Sequence, residues 1–362
     1  ATASDGLGNS YATTYGYEGG LYDATTKEFR GFAKVKVSDA ENNVAITQFH
    51  QDEHKRGRAF QSEFRDAVGN LWTKTAQVWS CVDPSPGVHF AKLDQTDGYT
   101  YDGDATFKQS RSRFSYDAYG NLTQTNEDGE VALVGDERTT MTTFLYNTTA
   151  WILNKPSLTR TMDASGTTVV AQRRFTYDGA TTTPPTAGLL TKEEEWLNPP
   201  TEQWLATTLT YDAYGNVVSV TDALGRTTTN TYEATGTYLT QIANALGHTR
   251  ALAYDPRFGQ VTNSTDQNGQ TTTTEYDALG RLTKVISPTD TATLPAVSYA
   301  YDLSTVPIKT TVSIRIQSGA PEVLTSYTFT DGLGRAIQTR SPAENPTKQV
   351  VTGNVQFNAR GL

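Results

Sequence analysis

The chain has 362 residues and a formal net charge of −9, from 30 basic and 39 acidic side chains, and this length allows two ordinary domains or one large all-β body. Counted with glycine and without tyrosine, the apolar share is about 39%, against roughly 45–50% in typical globular domains. The aromatic share of 10% argues against disorder. The composition therefore excludes a single thick hydrophobic core and a disordered chain.

Several other classes are excluded as well. No run of residues approaches the ~18 apolar residues of a membrane helix, and residues 1–5 carry neither an initiator Met nor a secretion signal. We therefore interpret the chain as a fragment of a longer protein. The single cysteine, Cys81, excludes an internal disulfide framework and is expected to be an inert buried thiol. An acidic chain with only short basic clusters argues against a nucleic-acid partner.

Threonine is the most informative residue type. It occurs 61 times, together with 19 Tyr and 13 Phe, and β-branched and aromatic side chains suit a pleated surface. Residues 28–37 are the first clear strand, because Ala33, Val35 and Val37 alternate with Lys34 and Lys36. Apolar spacing typical of helices is nearly absent, so we expect very little helix.

A Tyr-Asp-x-x-Gly pattern repeats along the chain. From residue 211 onward its tyrosines are spaced by 21, 22 and 22 residues, and a second turn series at 222–226, 244–248 and 266–270 lies midway between them. The basic unit is therefore about 11 residues, which is one strand and one turn. The repeat tyrosines are Tyr116, Tyr211, Tyr232, Tyr254 and Tyr276.

The spacing has a chemical reason. An Asp side chain can accept a hydrogen bond from the amide two residues later, and a Gly three or four residues after the Asp supplies the positive φ that the turn requires. The predicted structural turns are Asp117 with Gly120, Asp212 with Gly215, Asp222 with Gly225, Asp255 with Gly259, Asp277 with Gly280, and Asp331 with Gly334. Looser copies begin at residues 5, 66 and 358.

Successive hairpins of this kind predict an all-β fold, a long antiparallel meander. About 30 strands at most would form a sheet too wide to stay flat, so we expect it to curve into part of a hollow shell. Proline-containing segments at 82–87, 183–188, 198–200 and 341–342 are predicted to be loops or edge excursions.

These motifs resemble the YD, or Rhs, repeat of bacterial polymorphic toxins, insecticidal toxin complexes, cell-wall-associated proteins and teneurins. The match covers residues 105–362. Residues 1–104 contain Glu-Phe-Arg-Gly-Phe at 28–32 and Gln-Phe-His-Gln at 48–51, and they resemble the region that leads into the repeats of toxin-complex B components. We expect one continuous β body and not two separate domains.

The resemblance implies a structural role. The chain would be a wall segment of a cocoon around a toxin polypeptide, with toxin-complex B/C-like subunits as partners and a secreted location. It implies no catalytic residue, cofactor or metal, and the isolated fragment could self-associate. The alternative is a teneurin-like surface module that binds glycan or protein through outward Tyr and Trp side chains.

A third hypothesis is a zinc hydrolase. His50, Glu53 and His54 match the His-x-x-Glu-His spelling of inverted zinc peptidases, but the motif follows a predicted strand and is more simply the polar tip of a hairpin. The turn aspartates could suggest calcium, yet each turn offers one carboxylate where Ca²⁺ wants six to eight oxygens. The repeat tyrosines could form either a packing column or a ligand platform. His89 and His248 are most simply surface residues.

Overall fold

The structure is a computed structural model that describes residues 2–4, 10–85, 87–180, 184–197, 202–345, 347–353, 355 and 357. These residues form 27 β-strands and no helix, which confirms the all-β prediction. The strands are β1 (Thr2–Ser4), β2 (Ser10–Ala12), β3 (Thr14–Asp23), β4 (Glu28–Ser38), β5 (Val44–Phe49), β6 (Ala59–Arg65), β7 (Leu71–Ser85), β8 (Val88–Tyr101), β9 (Phe107–Tyr116), β10 (Leu122–Glu130), β11 (Arg138–Asn147), β12 (Ile152–Met162), β13 (Val169–Tyr177), β14 (Leu190–Leu197), β15 (Gln203–Tyr211), β16 (Val217–Thr221), β17 (Thr227–Tyr232), β18 (Leu239–Ala243), β19 (Thr249–Asp255), β20 (Gln260–Thr265), β21 (Thr271–Tyr276), β22 (Leu282–Ile286), β23 (Val297–Asp302), β24 (Ile308–Arg315), β25 (Val323–Thr330), β26 (Ala336–Pro342) and β27 (Gln349–Thr352).

The chain divides into two units. The first unit is residues 13–209, in which the strands from β3 to β15 pair antiparallel in sequence order, ending with the β14–β15 pair. Its longest hairpin is formed by β7, with 15 residues, and β8, with 14 residues. The unit is therefore a meander of hairpins, as the repeat predicts.

The second unit is residues 210–362 together with residues 1–12. Strands β16 to β27 again pair antiparallel in sequence order, and β1 pairs with β2 in a small sheet of two strands. The strands from β16 to β22 are short, with five to seven residues each, which matches the 11-residue unit of the sequence.

Neither unit buries a thick core. Apart from proline, Tyr177 is the only buried hydrophobic side chain in the described part of the chain, and most strand residues are half-buried. The accessible surface is 21973 Å², whereas a globular chain of 39.5 kDa would expose about 14,000 Å². The strands therefore form sheets one layer thick.

Two of the predicted proline interruptions are wrong. Residues 82–85 extend β7, and the register of the β7–β8 pair shifts between Val82 and Ser85, so a bulge accommodates the interruption within the hairpin. Ser341 and Pro342 end β26, paired with Val350 and Gln349, because a strand end tolerates a missing ladder donor. Residues 184–188 form a loop, and residues 183 and 198–200 lie outside the described residues.

The described residues contain no helix that is long and apolar enough to cross a membrane. The sequence boundary at 104/105 falls in the turn between β8 and β9, inside the first unit, and stays a prediction. The loose turn copies at 5–9 and 358–362 lie outside the described residues.

Candidate functional site

The hairpin turns share one hydrogen-bond pattern. In the turn at 222–226, one carboxylate oxygen of Asp222 accepts hydrogen bonds from the amides of Leu224 at 2.9 Å and Arg226 at 3.0 Å. Asp117, Asp212, Asp277 and Asp331 accept the same two bonds in their own turns, whereas Asp255 accepts only the first. The glycines at 120, 215, 225, 259, 280 and 334 have φ between 66° and 87°.

In five of the six predicted turns, the side chain of the residue after the glycine donates a hydrogen bond to the turn aspartate. The Nε atom of Arg281 donates to Asp277 at 2.7 Å, and its guanidinium lies 4.3 Å from the ring centre of Tyr301 in the next hairpin on that edge. Asn216 donates to Asp212 at 3.0 Å and also to the carbonyl of Gly236 at 2.7 Å. The side chain of Arg281, which from the sequence alone would be a surface ion-pair partner, thus connects two neighbouring hairpins.

Contacts of this kind lower the pKa of the carboxylates of Asp222 and Glu233. The pKa of Asp222 lies below its usual value because of the hydrogen bonds from the Arg226 side chain and backbone. Glu233 occupies the aspartate position of its turn, and hydrogen bonds from the Thr235 hydroxyl and from three backbone amides lower its pKa to about 2. These two carboxylates are therefore charged and already bound by their own chain.

Aromatic rings lie against several turn glycines. A Cβ atom on Gly280 would lie 2.9 Å from a ring carbon of Phe258, and a Cβ on Gly236 would overlap the ring of Tyr214. At Gly225 a Cβ would meet nothing within 4 Å. Sequence analysis did not find these contacts, although an aromatic residue just before the glycine of the preceding Tyr-Asp turn is the signal that could have revealed them.

The hairpins that follow four of the five repeat tyrosines contain a β-bulge. Tyr232 pairs with Leu239, whereas Thr231 pairs with Gln241, so Thr240 is an extra residue. The same shift follows Tyr116, Tyr254 and Tyr276. The Thr240 hydroxyl donates to the carbonyl of Thr231 at 3.1 Å, which replaces a ladder bond lost at the bulge.

The alternate hairpins are regular. The turns at 222–226, 244–248 and 266–270 join strands whose register runs without a shift, from Thr221 opposite Thr227, Ala243 opposite Thr249 and Thr265 opposite Thr271. In the second unit, therefore, the edge that carries the Tyr-Asp turns is bulged from β17 to β22 and the other edge is not.

The repeat tyrosines lie at strand ends and contact the sheet itself. The hydroxyl of Tyr116 donates to the carbonyl of Leu93 at 3.1 Å, and that of Tyr276 donates to Val261 at 2.9 Å. The ring of Tyr254 stacks on Tyr238 with 4.9 Å between ring centres. Tyr211 and Tyr232 end β15 and β17 and are half-buried. This arrangement favours the packing column over the ligand platform.

One face of the second unit carries small, uncharged side chains from β16 to β21. Residues opposite one another in the register share a face, and the shared side chains are Ser219, Thr221, Thr227, Thr229, Thr231, Gln241, Ala243, Thr249, Ala251, Ala253, Asn263, Thr265, Thr271 and Thr273. Threonine hydroxyls pair across the strands, at 2.8 Å for Thr221 with Thr227. Glu275 is charged, but it is paired with Lys284 at 3.0 Å. We call this set the threonine face.

The Gln-Phe-His-Gln and Glu-Phe-Arg-Gly-Phe motifs meet in the first unit. The side-chain amide of Gln51 donates to the carbonyls of Gly19 at 2.7 Å and Gly31 at 2.9 Å, which ties the β5–β6 turn to the β3–β4 hairpin. Phe29 packs edge-on against Phe32 with 5.3 Å between ring centres. Within the described residues these motifs therefore serve to hold hairpins together.

The geometry does not support the zinc-peptidase hypothesis. Residues 50–58 form a turn between β5 and β6, not the helix that would place both histidines on one side. His50 packs against Phe60 with 5.1 Å between ring centres, and burial lowers its pKa. His54 lies against His89 instead, with 3.9 Å between ring centres. The described residues contain no group of three or more side chains arranged to hold a metal ion.

The remaining candidates lie apart from these residues. The sequence predicts a buried Cys81, but Cys81 is only half-buried, because β7 continues past it as part of a single-layer sheet. His248 lies in the turn at 244–248, where its amide donates to the Asn244 side chain at 3.0 Å. Both residues are parts of strands or turns.

Comparison with known proteins confirms the resemblance. The family model described as RHS Repeat matches residues 211–249 and 254–292, and the one described as Insecticide toxin TcdB middle/N-terminal region matches residues 1–58. No curated protein matches the chain.

Solved structures show the same fold at low sequence identity. A crystal structure of TcdB2-TccC3 matches with a TM-score of 0.66 and 15% identity over 98% of this chain. A TcdB2-TccC3-Cdc42 structure matches with a TM-score of 0.65 and 14% identity over 98% of the chain. A Tc holotoxin pore of Photorhabdus luminescens matches with a TM-score of 0.64 and 14% identity over 93%. This chain spans only 28%, 30% and 28% of those chains.

Proposed function

We propose that this chain, which carries RHS repeats and a TcdB-like N-terminal region, is a wall segment of a shell that encloses a toxin polypeptide and acts by confinement, without catalysis. The observation that carries the proposal is the single-layer sheet. The chain has 21973 Å² of accessible surface, and the described residues bury almost no hydrophobic side chain. A sheet of this kind presents two large faces, whereas a catalytic cleft requires no such faces.

The relatives support this assignment. The solved structures it resembles are named as TcdB2-TccC3 complexes and as part of a Tc holotoxin pore. By analogy, the partners of this chain would be the rest of an Rhs-type shell, including a TccC-like subunit, and an enclosed toxin polypeptide. The assembled protein would be secreted.

We assign the cargo side to the threonine face. The threonine face has no apolar patch on which an enclosed chain could collapse. Away from the turns it carries the charge of Glu275, which Lys284 neutralises at a distance of 3.0 Å. The opposite face of the same strands carries Val220, Ile242, Arg250 and Leu252. A polar, neutral lining would hold an unfolded polypeptide without selecting its sequence.

The test is protease protection of a cargo. The chain is assembled with its downstream Rhs partner and a cargo fusion, and the cargo is digested with and without the partner. We expect protection only in the full assembly. A lone, stable monomer that leaves its cargo exposed and binds glycan through one face would contradict the proposal and favour the teneurin-like alternative.

A pair of matched variants tests which face meets the cargo. Thr229→Lys with Thr273→Lys adds two charges to the threonine face, and Thr228→Lys with Thr272→Lys adds them to the other face of the same strands. We expect only the first pair to reduce the amount of protected cargo. Equal effects of the two pairs would mean that the threonine face is not the cargo side.

A further inference from the structure

The Tyr-Asp turns of the second unit contact one another along their edge of the sheet. The side-chain amide of Asn216 donates to the Gly236 carbonyl at 2.7 Å, and the Tyr214 ring occupies the space that a Cβ atom on Gly236 would need. Both side chains belong to the turn at 212–216, and both reach the turn at 233–238. A hydrogen bond and an aromatic contact therefore join the first Tyr-Asp turn of the unit to the second.

The next two steps along this edge have contacts of the same kind. A Cβ atom on Gly259 would lie 3.7 Å from the ring of Tyr238, and that ring also stacks on Tyr254 with 4.9 Å between ring centres. A Cβ atom on Gly280 would lie 2.9 Å from the ring of Phe258. In each case an aromatic side chain of one turn packs on the glycine of the next turn. Four successive turns are thus joined side to side.

The midway turns at 222–226, 244–248 and 266–270 have no such contacts in the described part of the chain. A Cβ atom on the glycine of each turn would meet nothing within 4 Å. Leu224 and Leu246, which precede two of these glycines, are 76% and 79% exposed. The side-chain hydrogen bonds of these turns stay within each turn. Within the described residues, neighbouring tips on this edge are therefore not joined through side chains.

The backbone of the turns does not distinguish the two edges. Gly225, Gly236, Gly247 and Gly280 have φ between 70° and 78°. The amide of each glycine donates to the carbonyl of the first residue of its turn, at 2.9 Å in the first three turns and at 3.1 Å in the last. Such an amide exchanges its hydrogen with solvent when this bond opens. The four amides therefore report how easily each turn opens, and the two edges differ in the contacts between neighbouring turns.

We propose that the turns at 212–216, 233–238, 255–259 and 277–281 act as one linked edge, whose turns open together, whereas each midway turn opens alone. A turn of the linked edge cannot open without breaking its contacts with its neighbours, so its opening also loosens the turns beside it. A midway turn loses only its own hydrogen bonds. Local opening of this part of the sheet therefore begins at the midway edge. The proposal is independent of any enclosed polypeptide.

Hydrogen exchange of the intact chain, followed by NMR at single amides, tests the proposal. After correction for intrinsic exchange rates, we expect the amides of Gly236 and Gly280 to exchange at least about tenfold more slowly than those of Gly225 and Gly247. The four amides make the same backbone hydrogen bond, so a difference in rate reports the contacts between turns. Equal rates at the two edges would overturn the proposal.

A variant that removes one contact shows whether the turns open together. Phe258→Ala removes the ring that lies against Gly280. We expect about tenfold faster exchange at Gly280 and a clear increase also at Gly236, which lies against Tyr214 instead. Leu246→Ala is the matched control, because Leu246 also precedes the glycine of its turn but is 79% exposed, and it should not accelerate exchange in any other turn. Faster exchange at Gly280 alone would mean that each contact acts locally, which contradicts a linked edge.

Tyr214→Ala provides the same test from the other end of the linked edge. Its side chain is 69% exposed, so the fold tolerates its removal. We expect faster exchange at Gly236, against which the ring lies, and at Gly280, two turns further along the edge, with Gly247 unchanged. An unchanged rate at Gly280 would overturn the proposal. None of these outcomes depends on the protease-protection result.

Discussion

At the scale of single residues, the turns are stabilised by short-range polar contacts that repeat with small variations. Asp222 uses one oxygen for two backbone amides and the other for Arg226. At Asn244 the same two amides are bound by a neutral side chain. The negative charge is therefore not needed for the turn, but it adds the link to the following Arg.

Gly225 and Gly280 have nearly equal φ, so comparing them separates the effect of backbone strain from the effect of crowding at the Cβ position. Gly225 (φ 77°) has open space at its Cβ position, whereas Gly280 (φ 76°) faces the Phe258 ring at 2.9 Å. We expect Gly225→Ala to destabilise by about 1 kcal/mol through strain alone. Gly280→Ala should cost at least about 1 kcal/mol more because the ring must move. Denaturant midpoints of the two variants measure the difference, and equal midpoints would contradict it.

Arg281→Ala should also cost more than loss of an exposed ion pair would. The side chain is one-third exposed and combines the Asp277 bond with stacking on Tyr301, so we expect about 1–2 kcal/mol. Arg226→Ala is the control, because Arg226 keeps the Asp222 bond but is two-thirds exposed. Its loss should cost less than about 1 kcal/mol. A denaturation series that ranks the two equally would rule out a role for Tyr301.

The lowered pKa values of Asp222 and Glu233 predict how the stability of the chain depends on acid pH. Because the pKa of Glu233 falls from 4.5 to about 2 in the folded state and that of Asp222 is lowered as well, their contribution is complete above about pH 4.5 and is lost as the pH falls towards 2. Stability should therefore be flat from pH 7 to 5 and decline below it. Glu233→Gln should weaken that decline without altering the slope between pH 5 and 7. Unfolding curves at each pH check both.

At the scale of elements, the two kinds of hairpin turn differ in register. Bulged hairpins follow the tyrosines and regular hairpins follow the midway turns, although both begin with the same Asp-like cap and end with glycine. The difference lies in the step after the Tyr-Asp turns, where leucine or valine pairs with the tyrosine and threonine is the extra residue.

The Thr240 hydroxyl should be worth one hydrogen bond. Thr240→Val keeps the β-branched shape and removes the donor to the Thr231 carbonyl, so we expect a loss of about 1 kcal/mol. The control is Thr228→Val in β17, whose hydroxyl has no hydrogen bond recorded in the described part of the chain. That change should be within about 0.5 kcal/mol of neutral. Equal losses of stability for the two variants in thermal melts would show that the hydrogen bond from the Thr240 hydroxyl does not stabilise the bulge.

At the scale of the whole molecule, stability rests on ladders of hydrogen bonds and cross-strand pairs and not on a core. The apolar surface removed from water is small for the length of the chain, since strand residues are mostly half-buried. The hydrophobic contribution therefore comes in many small parts, spread along the meander.

This distribution predicts a low heat capacity of unfolding. A typical chain of 362 residues would have about 4.3–5.4 kcal/mol/K, from roughly 12–15 cal/mol/K per residue. We expect a clearly smaller value, and a denaturant m-value below that of globular chains of equal length. Calorimetry of the chain checks the first quantity. A value in the typical range would indicate that much more apolar surface is buried than the sheets show.

Sequence could predict the strands and turns but not the contacts between hairpins. The Asp and Gly of each turn lie within four residues of one another, so the turn can be predicted from local sequence. The Phe258 ring against Gly280, the Gln51 bridge from Gly19 to Gly31 and the bulge at Thr240 depend on register and on neighbouring hairpins. The prediction of loops or edge excursions at 82–87 and 341–342 is wrong for 82–85 and 341–342, because cross-strand pairing outweighs the local effect of proline there.

The alternation of bulged and regular turns also limits how such a chain can change in length. Tyr232, Tyr254 and Tyr276 are each separated by 22 residues, which is one bulged and one regular hairpin turn. Inserting or deleting 22 residues returns the chain to the same edge and the same face. A change of 11 residues would put a bulged turn where the neighbouring strands have no extra residue to match it. RHS sheets of this type should therefore differ from one another by whole pairs of strands.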